Sequence, residues 1–230
     1  MASEASYDDI ADWYEEEFLG RQQVLAGIDL DDGDPLGIDR TMRALLGRGE
    51  GLCLELGCGT GANAAAVRML GWTPVGIDLS AGMLRYSRGR LPAIQADAER
   101  LPVGDSSVSA VIAMMVHTDM PEYPAVLREA ARVLRSGGVF VHIGVHPCFC
   151  GSFADRSDPA AVLIRPGYLT RHRSTSSWNT KGLRNKVGAT HRPLSDLLQA
   201  MLDTGLVLEK FAEGGRPTPV VLAVRARKPE

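Results

Sequence analysis

A short apolar run at residues 52–56 ends in Gly57-Cys58-Gly59-Thr60-Gly61 and leads straight into a helical pattern. This feature constrains the fold most. The glycines permit a tight turn and let a backbone come close to a ligand. Beyond it, the patterning predicts helices over 63–70, 81–88 and 123–134, alternating with strands over 73–77, 92–95, 108–116 and 139–145. Ser136-Gly137-Gly138 reads as the stop of the last helix. Such alternation implies a parallel sheet with helices on both faces. Open sheets of this kind bind ligands at the carboxyl ends of their strands, near the switch in strand order.

The flanks are less regular. Residues 7–18 read as an amphipathic helix, with Ile10, Trp13, Tyr14 and Phe18 at helical spacing. An acidic, turn-rich linker at 29–37 precedes a helix over 38–46. Residues 146–190 show no clear period, and so long an irregular stretch in a compact domain is usually functional. A helix over 193–202 and strands over 207–211 and 220–224 close the chain. The expected organisation is one domain over 1–230, with an N-terminal helical lid at 1–48 and a substrate-side insert at 146–190.

The 230 residues carry a net charge of -3, which argues against a polyanion binder acting by bulk charge. No apolar run approaches the roughly 20 residues needed to span a bilayer. The acidic N-terminal stretch lacks the basic and apolar regions of a secretory leader, so a cytoplasmic protein is expected. The sequence leaves monomer and homodimer equally open. Cys53, Cys58, Cys148 and Cys150 form no disulfide framework. His146, Cys148 and Cys150 stand close together, but their spacing matches no common zinc pattern, and no metal is expected.

The glycine spacing is G-x-G-x-G, whereas the dinucleotide fingerprint is G-x-G-x-x-G. Glu55 stands two residues before the first glycine. An acid there repels a pyrophosphate and suits a ligand with an ammonium or sulfonium group. Asp78, at the end of the next strand, is placed to accept ribose hydroxyls. Charge therefore favours a cationic nucleoside over a nicotinamide dinucleotide.

Glu55 to Gly61 resembles motif I of the class I S-adenosylmethionine (SAM)-dependent methyltransferases. Asp78 resembles their ribose-binding acid and Met83 the residue that packs near the adenine. Ala96-Asp97-Ala98 resembles the adenine-side element after the third strand. Leu101-Pro102, Asp105-Ser106-Ser107 and Leu134-Arg135-Ser136-Gly137-Gly138 resemble two further family stretches, with Ser109 where an acid is common and Ser136 where proline is. The resemblance covers roughly residues 7–145 and, more loosely, the closing strands. It implies a doubly wound α/β fold with a mostly parallel seven-stranded sheet and an antiparallel last strand. It also implies SAM as cofactor, S-adenosylhomocysteine as product, and a small-molecule acceptor methylated on O or N. By the same resemblance Tyr14, Glu55, Gly57, Gly59, Gly61, Asp78, Leu79, Met83, Asp97, Ala98 and Met114 would line the cofactor, with Tyr7 and Tyr14 closing over its methionine end. Plainer readings stand beside these. Asp78 could cap a helix, Asp97 a turn, Met83 could be helix core, and the N-terminal helix could simply pack on the sheet.

An O–H or N–H acceptor must lose a proton, and histidine suits that task. The candidates are His117 past the fourth strand, His146 past the fifth, and His191 third. Asp119 could orient His117 or cap the next helix. The insert carries Arg165, Arg171, Arg173, Lys181, Arg184, Lys186 and Arg192, with Tyr168 and Trp178 among them and no acid between Asp158 and Asp196. Three readings follow: an acceptor with a carboxylate or phosphate held by arginine, RNA, or a solvated lid pairing with the acidic N-terminus. One short segment gives only a small phosphate footprint, which argues against RNA. A SAM-fold protein without methyl transfer, acting as a cyclase or a binding module, stays open as well.

Overall fold

The computed structural model describes residues 5–19, 34, 36–158, 160–176 and 182–230. Most of the acidic linker, together with Trp178 and Lys181, lies outside them. A helical segment, α1, passes through a 3-10 turn at Asp8–Ile10, an α turn at Ala11–Trp13 and a π turn at Tyr14–Leu19. Helix α2 (Ile38–Leu46) follows, then β1 (Leu52–Leu56), α3 (Ala64–Met69), β2 (Thr73–Asp78), α4 (Ala81–Ser87), β3 (Ala93–Gln95), β4 (Val108–Met114), α5 (Tyr123–Val133) and β5 (Leu134–Val145). The closing elements are α7 (Leu194–Leu202), β10 (Val207–Gly214) and β11 (Val221–Arg227).

One seven-stranded sheet runs in the order β10-β11-β5-β4-β1-β2-β3. Strands β1 to β5 are parallel, and β11 is antiparallel to both neighbours. The strand order reverses beside β1, so the carboxyl ends of β1 and β4 flank the crevice where such sheets take ligands. Alternating residues divide between two cores. Leu54, Leu56, Val111, Ala113 and Phe140 pack with α5 and α7 on one face. Cys53, Ala110, Ile112, Val139 and Val141 pack with α2 and α3 on the other. Burial on both faces explains why these strands read as continuous apolar runs.

Two expectations need correcting. Helix α5 ends at Val133, and the chain turns directly into β5 at Leu134, five residues before the expected start at 139. Leu134 pairs with Val108, and Gly137, at φ 71°, exchanges hydrogen bonds with Lys228 and Arg227, so Ser136-Gly137-Gly138 bends a strand as well as following a helix. The insert also has structure of its own. It holds β6 (Ala154–Asp155) paired with β7 (Leu163–Ile164), β8 (His172–Ser174) paired with β9 (Ala189–His191), and a short helix α6 (Leu183–Val187). No helix among the described residues is long and apolar enough to cross a membrane.

Candidate functional site

The glycine turn follows β1, and all three of its glycines have positive φ. A Cβ on Gly57 would meet Val116 at 2.6 Å, and one on Gly61 would meet Leu91 at 2.4 Å. Close packing therefore requires glycine at both places, beyond the backbone conformation. Asp78 ties the loop down: Oδ2 accepts from the Gly59 amide at 2.7 Å, and Oδ1 from the Ser80 amide at 2.8 Å. The N-cap of α4 is Ser80, whose hydroxyl accepts from the Met83 amide, so Asp78 is not that cap. Burial raises the Asp78 carboxyl above its ordinary range even though these amides pull it down.

Glu55 is fully enclosed, 1% exposed. Its Oε1 accepts from Asn63 Nδ2 at 2.8 Å, while Oε2 has no partner. Burial pushes its carboxyl up to about 7, with Asn63 acting against the shift and Asp78 adding to it. A buried carboxylate oxygen without a donor is costly. A cationic group placed against it would remove that cost, so the residues present fit an ammonium-bearing nucleoside. Met83 lies against the turn, its Cε 3.2 Å from where a Cβ on Gly59 would stand. Leu79 is half-buried beside Asp78, and Ala98 and Met114 are buried. Asp97 caps its own turn by accepting from the Glu99 amide at 2.9 Å.

Helix α1 crosses this region. Asp8 accepts from the Ser80 hydroxyl at 2.6 Å and the Gly82 amide at 2.9 Å. Asp12 pairs with Arg85, and Glu15 with Arg90. The N-terminal acids thus pair with α4 and the loop after it; the insert meets α1 through other groups. Arg184 of α6 pairs with Asp119, Tyr7 donates a hydrogen bond to Asp119, and Lys186 lies 4.8 Å over the Trp13 ring. Asp119 therefore clamps α1 to the insert and does not orient His117. Tyr14 stacks on Phe18 and meets Tyr7 edge-on, and burial pushes its phenol up to about 12. Gly82 has no room to spare, because a Cβ there would come within 3.1 Å of both Ala11 Cβ and the Asp8 carbonyl. Gly82→Val is expected to push α1 off α4 at a cost of about 1–3 kcal/mol. Hydrogen exchange over residues 8–19 should rise at least tenfold, and unchanged protection would show that the contact yields freely.

A void of about 10 Å³ lies past β4 and β5, lined by His117, Thr118, His172, Thr190, His191 and Arg192 among others. His117 is buried and its Nδ1 has no partner. Its ring faces His142, centroid to centroid 5.0 Å, and His142 Nδ1 lies 2.8 Å from the Tyr123 hydroxyl. Burial first, then His142, Arg192, Arg184 and His191, hold the His117 imidazole well below its ordinary range; burial takes His142 to about 3. Both are neutral at pH 7. A Cβ on Gly144 would stand 2.3 Å from His117 Nδ1, so glycine is required for this ring to fit. The other two histidine candidates differ. His146 is turned toward β10: Nε2 meets Glu213 at 2.8 Å and Nδ1 accepts from the Cys148 amide, leaving neither nitrogen free for an acceptor. His191 lines the void, but its Nε2 is spent on the Tyr168 carbonyl at 2.6 Å. Among the described residues no three His, Cys, Asp or Glu side chains are grouped to hold a metal ion.

Sequence reasoning missed Asn63, His142, Thr118, Thr190 and His172. His142 and Tyr123 read as ordinary core positions, and the two threonines carry no spacing signal.

A Rossmann-like sheet with an acid-flanked glycine turn at its switch point defines a nucleoside-binding α/β domain. Residues 54–142 match the methyltransferase domain family model. A probable phthiotriol/phenolphthiotriol dimycocerosates methyltransferase of Mycobacterium ulcerans is 34% identical over 102 residues, covering 41% of this chain and 40% of that protein. A demethylmenaquinone methyltransferase of Mycobacterium sp. (strain KMS) is 38% identical over 112 residues, 46% of this chain and 49% of that one. The chain thus spans less than half the length of these curated relatives. The crystal structure of an S-adenosylmethionine dependent methyltransferase from Mesorhizobium loti superposes with a TM-score of 0.70 at 23% identity, covering 82% of this chain and 96% of the other. The chain is therefore similar to SAM-dependent methyltransferases, in sequence over residues 54–142 and in fold over most of its length.

Proposed function

We propose that this chain transfers the methyl group of SAM to an oxygen or nitrogen of a small-molecule acceptor, leaving S-adenosylhomocysteine. The observation that carries the reading is the enclosed Glu55 carboxylate with one oxygen unpartnered, beside a glycine turn held by Asp78. When bound, SAM supplies an electrophilic methyl on a sulfonium. Glu55 would take the cation of its amino acid end. Asp78 keeps lone pairs for ribose hydroxyls while it holds Gly59. Helix α1, held against Ser80 and Gly82 through Asp8, would serve as a lid, with Tyr7 and Tyr14 closing over the methionine end of SAM. His117, a neutral imidazole lining the void, would take the acceptor's proton. Positioning supplies much of the rate in such a displacement. The relatives described above are named for methylating phthiotriol or phenolphthiotriol dimycocerosates and demethylmenaquinone, which supports a small-molecule acceptor.

Calorimetry with SAM, S-adenosylhomocysteine and NAD tests the cofactor. Micromolar SAM binding is expected, and Asp78→Ala should weaken it by about 1–3 kcal/mol, roughly 5- to 150-fold. Preference for NAD, or no nucleoside binding at all, would sink the reading.

A further inference from the structure

Among the described residues, eight buried side-chain nitrogens and oxygens have no hydrogen-bond partner, and six of them belong to His117, Thr118, His142, Thr190 and Arg192. Four of these five residues line the same void. Arg192 is 2% exposed. Its Nη2 donates to the Pro121 carbonyl at 2.7 Å, while Nε and Nη1 donate to nothing. The other buried guanidinium among the described residues is paired: Arg184 holds both Asp119 and the Gly188 carbonyl. Arg192 has no such counter-charge. Glu122 and Asp196 act on it through space, as do Tyr123 and, unfavourably, Arg171, but neither acid bonds to it. Burial moreover disfavours its charged form.

The backbone fixes this arrangement. Thr190 N donates to the Thr118 carbonyl at 2.7 Å, which brings the two threonines together. Residue 192 precedes Pro193 and is thereby biased to an extended backbone leading out of β9. A buried cation, two hydroxyls and their unspent donors therefore converge on one wall.

We propose that Arg192, with Thr118 and Thr190, forms an oxyanion subsite that receives a carboxylate or phosphate of the methyl acceptor. The assignment of the ligand as the acceptor rests on the methyl-transfer reading; the oxyanion subsite itself does not. A charged acceptor group would supply the missing counter-charge and accept from the idle donors. It would also offset the positive field by which Arg192, after burial and His142, holds the His117 imidazole down. Of the mutually packed rings of Phe153, Tyr168 and His191, His191 lines the void.

Benzoate, its neutral analogue benzamide, and inorganic phosphate are titrated by calorimetry against the full chain and the Arg192→Met and Thr190→Val variants. Benzoate should bind and benzamide should not, with Arg192→Met weakening benzoate at least about tenfold and Thr190→Val about threefold. Phosphate that displaces benzoate and fails with Arg192→Met would keep the subsite and assign a phosphate head group. Equal binding of benzoate and benzamide, no binding of either anion, or binding indifferent to both substitutions overturns the proposal. Should Arg192→Met not fold by circular dichroism, Arg192→Lys and Thr190→Val carry the same comparison. S-adenosylhomocysteine titrated in parallel separates the two readings. Its binding by wild type and Arg192→Met alike keeps the cofactor assignment whatever benzoate does. Its failure on wild type removes methyl transfer and leaves the anion result standing.

Discussion

Asp119→Ala is expected to cost about 3–5 kcal/mol of stability, because it leaves the Arg184 guanidinium buried without its partner. The side chains of this pair are 5% and 16% exposed. Burial raises the Asp119 carboxyl above its usual range and Arg184 pulls it back, and the net direction stays upward. The pair thus offsets only part of its desolvation, and breaking it from one side exposes the full remainder. For a chain of this size the loss corresponds to a melting point lower by roughly 10 °C. Tyr7 loses its hydrogen-bond acceptor at the same time, so hydrogen exchange in residues 8–19 should rise with it. The double variant Asp119→Leu with Arg184→Met removes both charges and should recover most of the melting temperature while α1 stays loosened. Calorimetric melting of the wild type and the two variants checks this. A shift below about 2 °C in the single variant would mean that the pair is hydrated and does not clamp α1.

The central sheet was legible because its strands are buried on both faces and its helices carry a clear apolar stripe. The ends of α2 and β1 fall where the pattern puts them, and the glycine turn follows β1 as expected. The region past β4 and β5 was not legible. Strands of two or three residues such as β6 and β9 have no pattern of their own and exist through pairing. Asp119 meets a partner 65 residues away, which no local spacing encodes. The arginines between Arg165 and Arg192 look alike in sequence, yet they separate by partner. Arg165 and Arg171 are exposed and meet Asp155 and Asp196, Arg184 is a buried clamp, and Arg192 is buried without an acid. His117 and His146 likewise occupy equivalent loop positions, and only the packing shows that His146 is already committed to Glu213.

Glu55 should make both stability and cofactor binding depend on pH, in opposite senses. Its folded carboxyl stands at about 7, raised from an ordinary value of 4.5 by burial. A raised acid contributes stability that is fully present below pH 4.5 and lost as pH rises through 7. The ligand-free protein should therefore lose up to roughly 3 kcal/mol between pH 5 and pH 8 relative to Glu55→Gln, which keeps the neutral shape and cannot ionise. A cation seated against Oε2 favours the carboxylate, so binding at pH 6 should expel a proton, and SAM affinity should rise toward pH 8. Asp78, also raised by burial, adds a shallower dependence of the same sign, and the Glu55→Gln variant isolates it. Chemical denaturation at several pH values gives the first quantity, and calorimetry in two buffers of different ionisation enthalpy counts the proton. Equal pH slopes in wild type and Glu55→Gln would show that Glu55 is already ionised in the empty site and that some other group meets the cation.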